Sequence, residues 1–425
     1  MGIINFSEKI KHNKGSICFA IFLYWVLLLI WQNIAGAVNR GITDTAVKFL
    51  LFIFLIASFL IKPGRSNKNN IFVIILFLIT QAATFFLTDL KVFNSGILIT
   101  YIFPVVFVFL SLCYGEKFCV EADEINRINR YIRIVIDISI IYTLVFEPSQ
   151  YVNALRSTKA YGSELHSFFA SMHEYAIYLF YCITTLLREI NDSNRGKITG
   201  NIPVKFFLLI VYSLTLVLTF SRTAIGGCIV FLLIYSLLNK GTKLSKNILW
   251  FLFLGVLIVF LVLPIRNYAF DIVWKGGNVR SRERLTEYAL LMFKNGSMLQ
   301  KMFGHGVIAT RSIFSDELGY GSIHNAFLQI LLYYGIVGLI FLMGFMVHEL
   351  IAIGKFIKIY RIVGIVYRDA GTIGLAYLVF TTLIMFTNTF IIFFSSIDCF
   401  FITAMFILIP KYERNGLLEK VNGRL

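Results

Sequence analysis

Three short clusters of arginine and histidine are the residues of this 425-residue chain best suited to chemistry on an anion. The first is Ser221-Arg222-Thr223, which joins two apolar runs and leaves one arginine at their boundary. An arginine at the edge of apolar segments is costly without a partner. The pattern therefore indicates either an anion-binding residue or a side chain that reaches out to lipid headgroups.

The second cluster is Arg280-Ser281-Arg282-Glu283-Arg284, which places three arginines at a spacing of two before a helical pattern from Leu285 to Phe293. A planar guanidinium binds two phosphate oxygens at once, whereas lysine offers a point charge. The cluster predicts a diphosphate clamp, and the spacing leaves open which arginine faces the site. The alternative is a solvated basic loop neutralised by Glu283 and Glu287.

The third cluster contains Gly304-His305-Gly306 and, further on, His324-Asn325 at the start of an apolar run. We expect His324 in the first turn of a helix, where the positive end of the helix dipole keeps imidazole neutral and able to accept a proton. The alternative is a helix-capping or interfacial histidine. His305 is expected to lie in a loop that does not fix its geometry.

Several motifs of metal and nucleotide chemistry are missing from the sequence. It has no Asp-x-Asp pair, no His/Cys cluster with metal-ligand spacing and no glycine-rich loop followed by Lys-Ser/Thr. A metal-dependent sugar-nucleotide transferase and an ATP-driven pump are therefore disfavoured. We expect no metal and no cofactor, with arginines neutralising a leaving diphosphate in place of Mg²⁺.

The composition indicates a chain embedded in lipid. Hydrophobic residues make up 58% and charged residues 15%, and 39 Lys and Arg face only 23 Asp and Glu. The basic residues lie in short connections between apolar runs, without a basic face or binding motif, so membrane lipids and phosphates are expected partners and nucleic acid is not. No cysteine falls in a connection facing the oxidising side, which predicts no disulfide framework there.

Apolar stretches bounded by charges predict an all-α protein, one polytopic membrane domain over residues 1–425 with twelve spans. With both termini in the cytoplasm, 25 Lys and Arg fall on the cytoplasmic side and 14 outside, eight of these in the long connection 265–323. Because long connections are usually functional, chemistry is expected there. The predicted spans are 17–34, 45–61, 71–88, 97–114, 131–146, 167–187, 204–220, 223–238, 248–264, 324–348, 372–392 and 394–410.

One predicted span, 131–146, contains an acidic residue, Asp137. Deleting this span would place the later basic loops outside, against the positive-inside tendency, so we retain it. Asp137 then lies near the inner interface, where we expect it to pair with Arg133 or with a neighbouring span in a structural role.

The combination of motifs resembles the O-antigen polymerase and O-antigen ligase superfamily of polytopic membrane glycosyltransferases. The resemblance covers residues 204–348, and the N-terminal half is similar only in being polytopic. The matching features are Ser221-Arg222-Thr223, the arginines around Arg282, Gly304-x-Gly306, His324-Asn325-x-x-Leu328-Gln329, and then Gly335 and Gly338.

The resemblance implies a GT-C-like fold in the bacterial inner membrane, with residues 265–323 as a large periplasmic loop. It also implies metal-independent transfer of a glycan from an undecaprenyl-diphosphate-linked oligosaccharide to an acceptor hydroxyl, with inversion. We expect a polysaccharide polymerase, O-antigen or capsular, and a chain-length regulator protein is a further candidate partner. The alternatives are an O-antigen ligase acting on lipid A-core and, from another class, a polysaccharide transporter or flippase.

The resemblance also assigns roles to individual residues. Arg222 and Arg282 would hold the donor diphosphate, with Arg280 and Arg284 as alternates, and His324 would activate the acceptor hydroxyl as a general base. Further candidate substrate contacts are Arg156, His173 and Asn325.

Overall fold

The computed structural model describes residues 75, 79–80, 82–87, 122–156, 165–167, 169, 172–194, 201–238, 243–261, 279–319 and 323–363. The regular elements among them are all α-helices, which confirms the all-α class. Predicted spans 17–34, 45–61, 97–114, 372–392 and 394–410 lie outside the described residues. The helices are α1 (Ala122–Phe146), α2 (Pro148–Arg156), α3 (Met172–Asn194), α4 (Ile202–Leu218), α5 (Arg222–Leu238), α6 (Lys243–Leu261), α7 (Val279–Asn295), α8 (Met298–Phe303), α9 (Val307–Leu318) and α10 (Ala326–Val363).

Helix α10 contains the segment best suited to cross a membrane. Within the described ranges, Ala326–Gly344 is the one stretch long and apolar enough to span a bilayer. Helix α4 and parts of α5 and α6 are apolar but shorter. Large apolar side chains stay exposed on these helices, for example Phe207, Phe251 and Ile340, as expected of surfaces that face lipid. The twelve-span topology remains a prediction.

The described helices fall into two compact units. Of the described residues, the first contains those of 122–225 and 257–261, and the second contains those of 75–87, 226–256 and 279–363. In the first unit α3 is the central helix, because its side chains from Tyr175 to Leu187 are buried all around it. A helix that is apolar on every side is stable only when other helices cover it, and here α1 and α4 do so.

Polar side chains tie α1, α3 and α4 together in the first unit. Arg133 on α1 holds Glu189 on α3 with both ends of its guanidinium, at 2.6 and 2.9 Å. Lys205 on α4 lies 3.4 Å from the same carboxylate. Asp137 accepts a 2.6 Å hydrogen bond from the hydroxyl of Tyr212 on α4, so its partner is a neighbouring predicted span, one of the two partners expected.

In the second unit, residues 279–318 of the connection 265–323 form three helices, α7, α8 and α9, which pack on α10. The helical pattern predicted from Leu285 to Phe293 is confirmed and extends to Val279–Asn295. Leu285 and Ala289 on α7, Phe314 on α9 and Leu332 on α10 form the buried centre, together with Ile323. This apolar cluster fixes the arginine-bearing helix against the helix that follows His324.

Helix α10 is interrupted at Gly335, which adopts φ 69° and ψ −165°. The turn after α8 enters this interruption: a Cβ on Gly335 would lie 2.2 Å from the carbonyl oxygen of Met302, and one on Gly304 2.2 Å from that of Tyr333. In a regular helix the Leu332 carbonyl accepts a bond from residue 336. Here it accepts a 2.6 Å bond from the N–H of His305.

Candidate functional site

The Ser221-Arg222 turn lies in the first unit, between α4 and α5. Ser221 is buried, its carbonyl accepts the first intrahelical bond of α5 from Ile225 at 2.9 Å, and Arg222 is the first helical residue. Phe220 adopts φ 53°, a left-handed conformation that costs about 1–2 kcal/mol for a non-glycine residue. The backbone thus turns sharply just before Arg222, which is half-buried.

His173, the second residue of α3, contacts this turn directly. Its Nδ1 lies 3.0 Å from Oγ of Ser221, within hydrogen-bond distance. The structure therefore brings together two residues that the sequence singled out separately, the histidine and the residue that precedes Arg222. Arg156, the other candidate of this region, is the exposed last residue of α2.

A second polar contact holds the loop that leads into α3. The side-chain oxygen of Gln150 on α2 accepts the backbone N–H of Ser167 at 3.0 Å, and the hydroxyl of Ser167 donates to the carbonyl of Ser139 at 3.0 Å. Ser167 is also left-handed, with φ 53°. These bonds fix the path of the chain just before His173, and sequence reasoning did not identify them because single Gln and Ser residues carry no motif.

Arg282 and Arg284 lie near the start of α7 in the second unit, and both side chains are exposed. The side chain of Arg280 lies outside the described residues. As far as the structure describes these groups, neither Arg282 nor Arg284 forms an ion pair or hydrogen bond, and Glu283 and Glu287 form none with them. Exposed, unpaired guanidinium groups are free to bind an added anion.

His324 lies two residues before α10, outside the first turn where it was expected. The helix is capped by Asn325: its Oδ1 accepts the N–H of Leu328 at 3.1 Å, and its carbonyl accepts that of Gln329 at 2.9 Å. This is the usual arrangement of an N-cap residue. The capping role considered for His324 thus belongs to its neighbour. His324 itself is half-buried and left-handed, with φ 54°.

The surroundings of His324 favour a neutral ring, as the sequence predicted, but for another reason. Burial of the imidazole, and then the positive charge of Arg282, hold the pKa of His324 below the usual value of a histidine. The helix dipole, from which this effect was expected, is not among its causes. The influence of Arg282 also distinguishes this arginine from Arg284 as the one whose charge reaches the histidine.

The expectation that His305 lacks a fixed geometry is wrong. Its backbone is bound to the interruption in α10, its side chain is 8% exposed, and burial lowers its pKa. A glycine-flanked histidine is normally mobile. Here Gly304 and Gly335 carry no Cβ, which gives the two backbones the space for close contact. His305 is therefore part of the packing between α8 and α10.

A further polar group was not predicted from the sequence. Arg311 on α9 donates from Nε to the hydroxyl of Tyr333 at 3.1 Å, and the same hydroxyl accepts the side-chain amide of Gln329 at 2.9 Å. The spacing of Gln329 and Tyr333, four residues apart on one helix, is the signal that could have identified this pair. Arg311 was counted only as one of the basic residues of the long connection.

In a comparison with protein families, residues 207–343 match a family described as O-antigen ligase. The matched segment begins within α4 and ends within α10, so it contains Arg222, Arg282 and His324. The comparison with curated proteins gave no significant match.

Proposed function

We propose that this membrane protein is a polysaccharide polymerase acting at the outer face of the cytoplasmic membrane. The proposal is supported by the family match over residues 207–343, which indicates the O-antigen polymerase and ligase superfamily. The protein would transfer a glycan from an undecaprenyl-diphosphate donor to an acceptor sugar hydroxyl. The observation that carries the proposal is the half-buried His324, whose lowered pKa reflects burial and the charge of Arg282.

The reaction divides between these two groups. Attack by the acceptor oxygen forms the new glycosidic bond as the bond between the anomeric carbon and the diphosphate oxygen breaks, and the bonding electrons stay on the diphosphate. The guanidinium of Arg282 would stabilise this growing negative charge. The acceptor's proton would pass to the neutral ring of His324.

A neutral histidine beside an arginine suits this task for a physical reason. The positive charge of Arg282 disfavours a second positive charge on His324 while the site is empty. When a diphosphate binds to the arginine, its negative charge offsets that repulsion, so the ring becomes a better base in the complex with donor. The arrangement keeps His324 neutral beforehand and supports its protonation during transfer.

The experiment is a comparison of the parent protein, His324→Gln and His166→Gln, purified and reconstituted. Donor binding and single-turnover transfer are measured separately with a defined lipid-diphosphate repeat unit. We expect His324→Gln to bind donor normally and to lose at least about 10²-fold in rate, the lower end of a general-base contribution. His166 is an exposed histidine of the first unit and serves as the matched control, with an unchanged rate.

Two results would overturn the assignment. If His324→Gln transfers at the rate of the parent, this histidine is not the base. If the variant loses donor binding instead, His324 belongs to the diphosphate site.

The second candidate function is an O-antigen ligase, which the description of the matching family favours. Both enzymes would use the same donor and the same kinds of residue. A chromosomal knockout separates them: loss of a polymerase leaves one repeat unit on the lipopolysaccharide core, and loss of a ligase leaves bare core.

A further inference from the structure

Arg311 on α9 lies outside the arginine cluster of α7 and has no part in the transfer mechanism above. Its side chain is exposed, yet its position is defined at two points. Nε donates to the hydroxyl of Tyr333 at 3.1 Å, and the guanidinium carbon lies 5.9 Å from the centroid of that ring. A surface arginine without such contacts would sample many rotamers.

The anchor beneath Arg311 is buried. Tyr333 is 1% exposed and Gln329 is 4% exposed, and the Gln329 amide donates to the Tyr333 hydroxyl at 2.9 Å. Both residues lie on one face of α10, one turn apart. The hydroxyl therefore holds Nε from a fixed position, which orients the plane of the guanidinium and lowers the entropy lost when a ligand binds.

The two terminal nitrogens of Arg311 remain available. Among the residues that the structure describes, no group bonds to Nη1 or Nη2. A carboxylate is near in sequence, but Asp316 on the same helix accepts a 3.1 Å bond from Ser312 instead. Arg133, in contrast, has both ends of its guanidinium bound by Glu189. At Arg311, no carboxylate of the described residues takes this place.

We propose that Arg311 is a second oxyanion-binding residue, separate from the α7 cluster, which takes a carboxylate or phosphate group between Nη1 and Nη2. A planar guanidinium fork matches the two oxygens of either group, whereas an ammonium does not. The oxyanion comes from an acidic sugar of a bound glycan or from the glycerol phosphate of a lipid headgroup. The inference stands on the geometry of Arg311 and does not depend on the transfer reaction.

The test measures ligand binding by the purified full-length protein in a neutral detergent, through the rise in Tm with ligand concentration. The probes are methyl glucuronide for a sugar carboxylate, glycerol phosphate for a lipid headgroup, and methyl glucoside as the neutral control. We expect a saturable rise with at least one anionic probe and none with methyl glucoside. The anionic probe that binds identifies the source of the oxyanion.

The matched variants are Arg311→Lys, which keeps the charge and loses the fork, and Tyr333→Phe, which keeps the arginine and loses its anchor. Loss of one charge-assisted hydrogen bond weakens binding by about tenfold or more, and we expect that change in Kd for Arg311→Lys. Tyr333→Phe should weaken binding less, since the fork remains but is no longer oriented. An unchanged Kd in Arg311→Lys, or no saturable response to either anion in the parent, overturns the proposal, and the Tm without ligand shows that each variant is folded.

Discussion

At the scale of single residues, Arg282 acts on His324 through its charge, and this coupling predicts a change in pH dependence. A general base must be neutral, so a lowered pKa extends activity to lower pH, and the acid limb of kcat/KM in the parent should lie below 6.5, the ordinary histidine value. In Arg282→Gln the repulsion is removed, the pKa of His324 rises, and the acid limb should move to higher pH. Burial of His324, the larger cause of its lowered pKa, is unchanged in this variant.

Arg282→Lys is the matched control for this prediction. It keeps the positive charge, so the acid limb should stay where it is in the parent, while the rate falls because an ammonium cannot form the bidentate contact with a diphosphate. The measurement is kcat/KM against pH for the three proteins. Identical acid limbs in Arg282→Gln and Arg282→Lys would show that the arginine does not influence the base.

Residue types and spacing were sufficient to single out Arg282 and His324 as candidates, because arginine and histidine carry their chemistry in their side chains. They were not sufficient to choose Arg282 over Arg284, since that choice depends on how α7 packs against the chain before α10. The capping role of Asn325 could have been predicted, because asparagine before an apolar helix is a common start signal. The contact of Arg311 with Tyr333 could not have been predicted, because it depends on the packing of α9 on α10.

At the scale of helices, Gly304 and Gly335 allow the turn after α8 to approach the backbone of α10 closely. In Gly335→Ala the new Cβ would meet the Met302 carbonyl at 2.2 Å, and the residue would also bear the cost of a left-handed φ, about 1–2 kcal/mol. We expect a clear loss of Tm and of transfer activity. Gly304→Ala should behave alike, because its Cβ would meet the Tyr333 carbonyl.

Two other glycines separate these effects. Gly319 has a left-handed φ of 70° with nothing within 4 Å of its Cβ position, and Gly344 lies in open space. Gly319→Ala should therefore lower Tm only by the cost of the left-handed φ. Gly344→Ala, at a helical position, should leave Tm unchanged. The Tm of the purified variants gives the order, and a Gly335→Ala protein as stable as Gly319→Ala would show that the close contact is unimportant.

The helices themselves were largely predictable, because long apolar runs with charged ends specify helices in a membrane. The interruption of α10 was not, although Gly335 was noticed. A single glycine in an apolar run usually continues the helix, and only the arrival of Gly304 and His305 from a distant part of the sequence makes a break favourable. Contacts between residues far apart in the chain leave no local periodicity.

At the scale of the whole molecule, the predicted topology places α9 outside, and it places the start of α6 and the end of α10 inside. We expect Ser315→Cys, at an exposed position of α9, to react with an impermeant thiol reagent in intact spheroplasts, and Lys243→Cys and Lys358→Cys to react only after permeabilisation. The six native cysteines are replaced first. Labelling of Lys243→Cys but not Ser315→Cys in intact cells would invert the orientation and remove the proposed access to a periplasmic donor.

The interruption of α10 also has a consequence for how the protein is made. The carbonyl of Leu332 accepts the N–H of His305 at 2.6 Å, and an unsatisfied carbonyl in hydrocarbon is costly. Its donor, His305, is synthesised earlier than Leu332, so on the predicted topology it has already been exported when α10 enters the bilayer. The exported segment must then fold back onto the arriving helix before lipid surrounds it. The order of the chain and the insertion of α10 are thereby linked. If residues 279–318 followed α10 in the sequence, His305 would still be on the ribosome when the carbonyl of Leu332 enters the bilayer.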